Sequence, residues 1–173
     1  MNVSAQRPAR SGDLLDVFPA GATFSPDRHY RYSLWRQWEP NKPYALFIGL
    51  NPSTANEQDD DPTIRRCKRF AADWGYGALY MANLFALRAT HPKEMLAHPL
   101  PVGMDNNTGL QQLAHDAGII LCAWGAHGGH LQRDEQVKTL LAAYELKCLG
   151  LTQSGKPRHP LYIRADKQPE PLR

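Results

Sequence analysis

The sequence contains only three cysteines in 173 residues, and they stand far apart. Cys67, Cys122 and Cys148 form no C-x-x-C pair, so we predict neither a disulfide framework nor a cysteine zinc site. No apolar run approaches the roughly 20 residues that a membrane helix requires, and residues 1–12 lack the apolar segment of a signal peptide. We therefore predict a cytoplasmic protein with buried, reduced thiols, and exclude the secreted, membrane-spanning and coiled-coil classes.

Internal repeats, low-complexity tracts and the glycine fingerprints of ATP-binding and dinucleotide-binding loops are also absent from the sequence. We therefore predict no cofactor. The formal net charge is only +3, which is compatible with an anionic partner but does not identify one. With 42% hydrophobic and 21% charged residues, the chain has the composition of one globular domain. We place this domain at residues 13–163, between flexible tails at residues 1–12 and 164–173.

Short continuous apolar segments alternate along the chain with segments of helical periodicity. Asp61 and Pro62 begin one helix, because a capping carboxylate precedes a proline at the first helical position, and Gly75 ends it. The alternation predicts an α/β three-layer sandwich, in which helices flank a central, mainly parallel four-stranded sheet. The predicted strands are residues 44–50, 78–83, 118–123 and 146–149, with an antiparallel edge or hairpin strand at 28–36; the predicted helices are residues 61–75, a short one after 91–92, 104–116 and 133–143.

Polar or glycine residues follow each of the four apolar strands. Because function collects beyond the carboxyl ends of parallel strands, we expect these loops to form one neutral, hydrogen-bonding cleft. An asparagine offers both a donor and an acceptor to the edge of a nucleobase, and cations at the rim suit phosphates. The residues concerned are Gly49, Asn51, Asn83, Arg88, Trp124, Gly125, Arg158 and His159, with Arg65 and Arg66 on the helix after the first strand.

The order of these blocks resembles the uracil-DNA glycosylase superfamily. Its members have a glycine-x-Asp/Asn-Pro turn after the first strand, an asparagine after the second, a glycine turn after the third and a late His-Pro motif. More specifically, the chain resembles an uncharacterised bacterial family, a domain of unknown function. The blocks shared with that family are NPSTA at residues 51–55, DDPTIRRC at 60–67, NLFALRAT at 83–90, AWG at 123–125 and PRHPLY at 157–162.

The glycosylase resemblance implies a role for each block. Asn51 would orient the attacking water, Asn83 would bind the base edge, and His159 would donate a hydrogen bond to the base carbonyl as negative charge develops there. The substrate pocket would also include Gly49, Arg88, Trp124 and Gly125, and phosphate or nucleic acid would contact Arg65, Arg66 and Arg158.

The sequence departs from the glycosylase pattern in several places. Asn51 replaces the Asp of the strongest glycosylases, and an amide orients water but cannot accept its proton. Ser53 replaces the bulky aromatic residue that lets some members reject thymine, so specificity for uracil is not implied. Pro-Leu-Tyr follows His159 in place of Pro-Ser. The acidic run Asp59-Asp60-Asp61 has no counterpart. We interpret Asp61 as the helix cap and consider Asp59 and Asp60 as a possible acid, base or cation site.

Simpler structural roles compete with these interpretations. The Asn51-Pro52 pair is a common turn signal, Asn83 can satisfy a buried backbone group, and the arginine face of the helix can be a solvated surface. His127 and His130 stand three apart, but no third ligand is evident by spacing, so we predict no metal site.

We hypothesise that the protein acts on or binds a nucleobase or nucleotide, and hydrolyses an N-glycosidic bond. The expected partner is a nucleic acid or nucleotide, and no membrane partner is expected. One alternative is a catalytically inactive module that binds nucleic acid or nucleotide. The other is a metal-dependent enzyme that acts on a small phosphorylated metabolite through Asp59 and Asp60. The sequence leaves the substrate, the turnover and the oligomeric state open.

Overall fold

A computed structural model describes residues 19–173 as alternating strands and helices. The predicted tail at residues 1–12 and the first residues of the predicted domain, 13–18, lie outside this range. The strands are β1 (Ala20–Phe24), β2 (Arg31–Gln37), β3 (Tyr44–Gly49), β4 (Ala78–Asn83), β5 (Ile119–Cys122), β6 (Leu146–Cys148) and β7 (Glu170–Pro171). The α-helices are α1 (Pro62–Asp73), α2 (Pro92–Ala97), α3 (Asn106–Asp116) and α4 (Arg133–Leu140), and two 3₁₀ segments span Ala126–Gln132 and Pro160–Tyr162.

The strands form one mixed sheet in the order β1-β2-β4-β3-β5-β6-β7. Strands β4, β3, β5 and β6 are mutually parallel, whereas β1, β2 and β7 pair antiparallel with their neighbours. The predicted α/β class is confirmed, but the sheet has seven strands rather than four. Strand β2 forms the predicted hairpin with β1, and it lies inside the sheet rather than at its edge because β1 covers its outer side.

Two short strands account for the larger sheet. Strand β1 is half-exposed and consists mainly of small residues. Position 21 requires glycine, because the ring of Trp35 occupies the space that a Cβ would need. Strand β7 has only two residues and lies in the segment predicted as a flexible tail, residues 164–173. There the Leu172 N–H donates to the Leu146 carbonyl at 2.9 Å. Neither strand has the apolar alternation by which strands are recognised.

Helices cover both faces of the sheet, because the buried side chains of β3 alternate. Tyr44, Leu46 and Ile48 belong to one apolar cluster, which includes buried residues of α2, α3 and α4. Ala45 and Phe47 belong to the other, which includes the buried face of α1. This alternation follows from the two-residue period of a strand and explains why β3 is apolar throughout.

Helix α1 begins as its sequence predicts. The Asp61 carboxylate accepts the backbone N–H of Ile64 at 2.8 Å, and Pro62 occupies the first turn. Gly75 follows the helix with φ +88°, a left-handed conformation that glycine adopts without steric cost. The helix therefore starts close to the carboxyl ends of the parallel strands, where its first residues reach the site described below.

The three cysteines are free and buried, which confirms the predicted thiols. Burial raises the pKa of Cys67 and Cys122 well above the usual range of a thiol. Within residues 19–173, no helix combines the length and the apolar character that crossing a membrane requires.

Candidate functional site

A cavity of about 410 Å³ lies at the carboxyl ends of the parallel strands. Asn51 from the loop after β3, Asn83 at the end of β4, and His159 from the segment after β6 all line it. Trp124 and Gly125, which follow β5, complete the ring of strand-end loops. The parallel strands thus bring together side chains that are more than a hundred positions apart in the sequence.

The Asn51 side chain is held by the backbone. Its Nδ2 donates to the carbonyl of Pro52 at 3.1 Å and to that of Ala89 at 3.0 Å. The Ala89 N–H in turn donates to the Pro52 carbonyl at 3.0 Å, which joins the loop after β3 to the loop after β4. Because both amide hydrogens are used, the remaining hydrogen-bonding capacity of Asn51 is that of its Oδ1, an acceptor.

Asn83 is only 3% exposed at the end of β4. Its Nδ2 is buried and has no hydrogen-bond partner within residues 19–173. Its Oδ1 lies so near Gly49 that a Cβ there would stand 2.9 Å from it, which explains the glycine at the end of β3. A buried amide donor without a partner carries a desolvation cost, and at a cavity wall a bound acceptor would remove that cost.

His159 is oriented by its own loop. Its Nδ1 accepts the backbone N–H of Leu161 at 3.3 Å, so the neutral ring carries its proton on Nε2. Burial lowers the pKa of His159 below the usual value, and the negative charge of Asp61 opposes this only in part. The ring is therefore a neutral donor at the cavity at pH 7.

The loop after β5 packs the Trp124 ring into the core beside the cavity. Gly125 has φ +75° and ψ −166°, and its N–H donates to the Pro157 carbonyl at 2.8 Å, which ties this loop to the segment that carries His159. A Cβ on Gly128 would lie 2.1 Å from the Trp124 ring, so the second glycine makes room for the indole. The indole Nε1 is buried and has no partner within the described part of the chain.

Three titratable residues of the cavity lining were not part of the predicted substrate site: Arg31, Asp61 and His127. Arg31 begins β2 and is 2% exposed; its Nη1 donates to the Ala55 carbonyl at 3.0 Å. Burial lowers its pKa to about 10, so it remains charged at pH 7. Asp61 belonged to the acidic run but was interpreted as the cap of α1, and it both caps the helix and lines the cavity. A buried arginine in a strand has no distinguishing sequence signal.

Several predicted arginines lie outside the cavity lining. Arg88 stacks on the Phe24 ring, with its guanidinium carbon 4.8 Å from the ring centre. Arg65 is exposed and donates to the Asp60 carbonyl at 2.9 Å, and Arg66 donates to the Ile163 carbonyl. Arg158 is exposed beside His159. The structure thus places these cations outside the cavity lining: Arg65 and Arg158 are exposed, and Arg66 and Arg88 are half-buried.

The acidic pair that was considered as an acid, base or cation site also lies outside the cavity lining. The Asp60 carboxylate accepts from Arg36 Nε at 2.8 Å and Lys68 Nζ at 2.9 Å, and Asp59 accepts from the Asn56 side chain at 3.0 Å. Asp60 is therefore already neutralised by two cations. Among the described residues, no group of three His, Cys, Asp or Glu side chains is arranged to hold a metal ion.

The two histidines of the 3₁₀ segment, His127 and His130, lie in different environments. His127 lines the cavity, whereas the ring of His130 packs against that of Phe85, with 5.6 Å between the ring centres. This difference follows from a kink in the segment, where His130 and Leu131 leave helical geometry.

A comparison with protein families finds that the model of the family described as "Protein of unknown function (DUF1643)" matches residues 31–161. This range begins at Arg31 and ends at Leu161, so it contains every residue that lines the cavity. No curated protein and no solved structure matches the chain.

Proposed function

Because the chain belongs to the DUF1643 family, whose description gives no activity, we propose its function from the cavity: it binds a nucleobase of a nucleotide or nucleic acid and hydrolyses its N-glycosidic bond. The observation that carries this proposal is that Asn51, Asn83 and His159, from three separate strand ends, line one cavity. In the resemblance to the uracil-DNA glycosylase superfamily, these three residues belong to three of the four shared blocks, and Gly125 belongs to the fourth.

The size and chemistry of the cavity support this proposal. A volume of about 410 Å³ lies within the range of small-molecule sites. Asn51 offers an acceptor, whereas Asn83 and His159 offer donors. A flat heterocycle with polar edges is the ligand that such a combination of donors and an acceptor binds.

The reaction assigns one task to each side chain. Asn51 holds a water through Oδ1 while the bond between the sugar carbon C1′ and the base nitrogen breaks, and the electron pair of that bond leaves with the base. The Nε2–H of His159 and the amide of Asn83 stabilise the negative charge on the base. The water oxygen then bonds to C1′ and its proton passes to solvent, because an amide cannot accept it.

The surface arginines favour a nucleic acid over a free base. Arg65 lies one turn into α1, whose first residues line the cavity, and Arg158 directly precedes His159. Both are exposed, so phosphates on either side of a base in the cavity would find cations nearby. Binding through such contacts weakens with increasing salt.

A second candidate follows from the amide at position 51. A side chain that cannot accept a proton is sufficient for binding but is a weak catalyst, so a module that binds the same base without turnover is the alternative. The two functions share the cavity and differ only in whether the glycosidic bond breaks.

The test is to incubate the protein with DNA containing uracil, hypoxanthine or a mismatched base and to measure abasic sites. We expect release of one of these bases, and a loss of at least about 100-fold in Asn51→Ala and His159→Ala. His98→Ala is the matched control, because His98 Nδ1 also accepts a backbone N–H, from Leu100 at 3.0 Å, but outside the cavity lining. Unchanged rates in both variants would refute the roles, and base binding without release would favour the second candidate.

A further inference from the structure

A second groove lies beside the start of β2, apart from the cavity of the proposed function. Its volume is about 740 Å³, and within residues 19–173 the two share no lining residue. Tyr30 and Tyr32 form one wall of the groove, and the loop between α2 and α3 forms the other. The proposed function therefore leaves this groove without a role.

The two walls of the groove are fixed to each other. The Tyr30 hydroxyl donates to the Leu100 carbonyl at 2.7 Å, and the rings of Tyr30 and Tyr32 are parallel to within 7°. A Cβ on Gly103 would lie 2.9 Å from the Tyr32 ring and 3.0 Å from the Tyr30 ring, so a glycine lets the loop approach both. A groove that is already formed loses little conformational entropy when a partner binds.

The rim of the groove is apolar and open to solvent. Leu100, Met104 and Leu131 line it with exposed fractions of 70%, 96% and 58%. Leu131 has φ +55° and ψ +21°, a left-handed conformation that is strained for leucine, and within residues 19–173 it packs in neither apolar cluster of the core. The fold thus holds a strained leucine at the surface, and exposed apolar patches of this kind mark interaction sites.

The charge of the groove is acidic. Among the residues that the structure describes, Asp27 and Asp105 are the charged side chains of the lining, and both are exposed. Asp27 Oδ1 accepts the Ser25 hydroxyl at 2.7 Å and the His29 N–H at 3.0 Å, which orients its carboxylate. Asp105 precedes α3 at the cap position but forms no side-chain cap bond, so its carboxylate is available to a partner. The lining is therefore complementary to an apolar partner with positive charge.

We infer that this groove is a docking site for a proline-rich, arginine-containing or lysine-containing segment of a partner protein. Proline rings pack on tyrosine faces, and a proline brings no backbone N–H that would need an acceptor on an apolar wall. Such a segment is also extended before it binds, which lowers the entropic cost. Its cations would bond to the carboxylates of Asp27 and Asp105.

The charge of the lining disfavours a second copy of this chain as the occupant. A symmetric contact between two copies would bring Asp27 and Asp105 against the same carboxylates of the other copy. The inference goes beyond the proposed function and does not depend on it, because the groove and the cavity have separate linings.

The inference is tested by calorimetric titration with three end-blocked peptides of equal length. One repeats Pro-Pro-Arg, the second repeats Pro-Pro-Glu, and the third repeats Gly-Ser-Arg. We expect the first to bind at least about 10-fold more tightly than either of the others, because only it combines proline with positive charge. Its affinity should also fall with increasing salt.

Two variants of the groove separate recognition from folding. The double variant Asp27→Asn/Asp105→Asn keeps the side-chain shapes and should lose at least about 10-fold in affinity for the Pro-Pro-Arg peptide. Leu131→Gly should also weaken binding, yet its unfolding midpoint should be at least that of the wild type, because glycine adopts a positive φ without strain. Asp73→Asn and Leu151→Ser change exposed residues outside the groove lining and should leave the affinity unchanged.

Several results would overturn the inference. These are the absence of binding to the Pro-Pro-Arg peptide, equal affinity for all three peptides, and full affinity in Asp27→Asn/Asp105→Asn. Self-association that Leu131→Gly abolishes would assign the groove to a second copy instead. Release of a base from DNA is measured separately, so the proposed function and this inference can fail independently.

Discussion

At the scale of single residues, the cavity is built from side chains whose hydrogen bonds are divided between backbone and ligand. Asn51 donates both amide hydrogens to the carbonyls of Pro52 and Ala89, so its Oδ1 remains as a free acceptor. The Nδ1 of His159 accepts the Leu161 N–H, so the Nε2–H remains as the donor. Asn51 and His159 each carry both a donor and an acceptor. Their hydrogen bonds to the local backbone therefore determine which of the two atoms remains available to a ligand, and this orientation exists before any ligand binds.

This division makes the stability of the protein depend on the protonation of His159. Burial lowers the pKa of His159 in the folded protein, so between that pKa and the unfolded value of 6.5 the unfolded chain binds more protons. The free energy of unfolding should therefore fall as the pH drops below 6.5. His159→Asn keeps an acceptor for the Leu161 N–H but does not titrate, so the difference between wild type and variant isolates this contribution.

Denaturant unfolding at several pH values, with NMR titration of the His159 ring, measures the effect. The wild type should lose stability relative to His159→Asn on acidification through this window, and the titration midpoint should lie below 6.5. A difference in stability that does not change between pH 5 and pH 7 would contradict the burial of a neutral ring.

At the scale of elements, the site depends on loops that leave the strands at unusual angles. Gly125 ends the segment after β5 with φ +75° and ψ −166°, a conformation that is essentially restricted to glycine. Its bond to Pro157 connects two strand-end loops, so this backbone geometry sets the separation between Trp124 and His159. The sequence shows a glycine there, but not which conformation the glycine supplies.

Gly125→Ala isolates this backbone contribution. No atom outside the neighbouring residues lies within 4 Å of the added Cβ, so the cost is conformational, and we expect about 2 kcal/mol of destabilisation. Gly75→Ala is the matched control, because Gly75 also has open space and φ +88°, but in the ordinary position after a helix. Its cost should be about 1 kcal/mol. Equal losses in denaturant unfolding would show that the turn after β5 is not specially strained.

At the scale of the whole molecule, the sequence predicts best what is repeated and buried. The central strands follow from apolar runs, and the helices follow from helical periodicity or, for α2, from the His91-Pro92 start signal. The rule that parallel strands end at one edge brings Asn51, Asn83 and His159 together. The sequence does not predict features that depend on tertiary packing. Strand β1 is too exposed to show a pattern, and Arg31 gains its burial from neighbours that are distant in sequence.

The role of the acidic segment before α1 could not be predicted either, because it depends on contacts with residues that are distant in the sequence. Arg36 in β2 is 5% exposed and uses all five donors. They bind the Asp60 carboxylate and four backbone carbonyls, those of Gly21, Trp35, Asn56 and Asp59. Lys68 of α1 binds the second carboxylate oxygen. This cluster joins the β1-β2 hairpin to the helix whose N-terminus lines the cavity, so the acidic residues position the site without belonging to it.

Asp60→Asn should therefore destabilise the fold by about 3 kcal/mol at pH 7, because Arg36 would stay buried without a counter-charge. The exposed Asp59→Asn should change stability by no more than about 0.5 kcal/mol. Burial raises the pKa of Asp60, but the bonds from Lys68 and Arg36 outweigh it and hold the pKa below 3.8. The stabilisation is then complete above pH 4 and is lost as the pH falls through the folded pKa. The unfolding free energies of the wild type and Asp60→Asn, measured against pH, should converge in acid. A constant difference down to pH 2 would show that packing rather than charge stabilises the cluster of Arg36, Asp60 and Lys68.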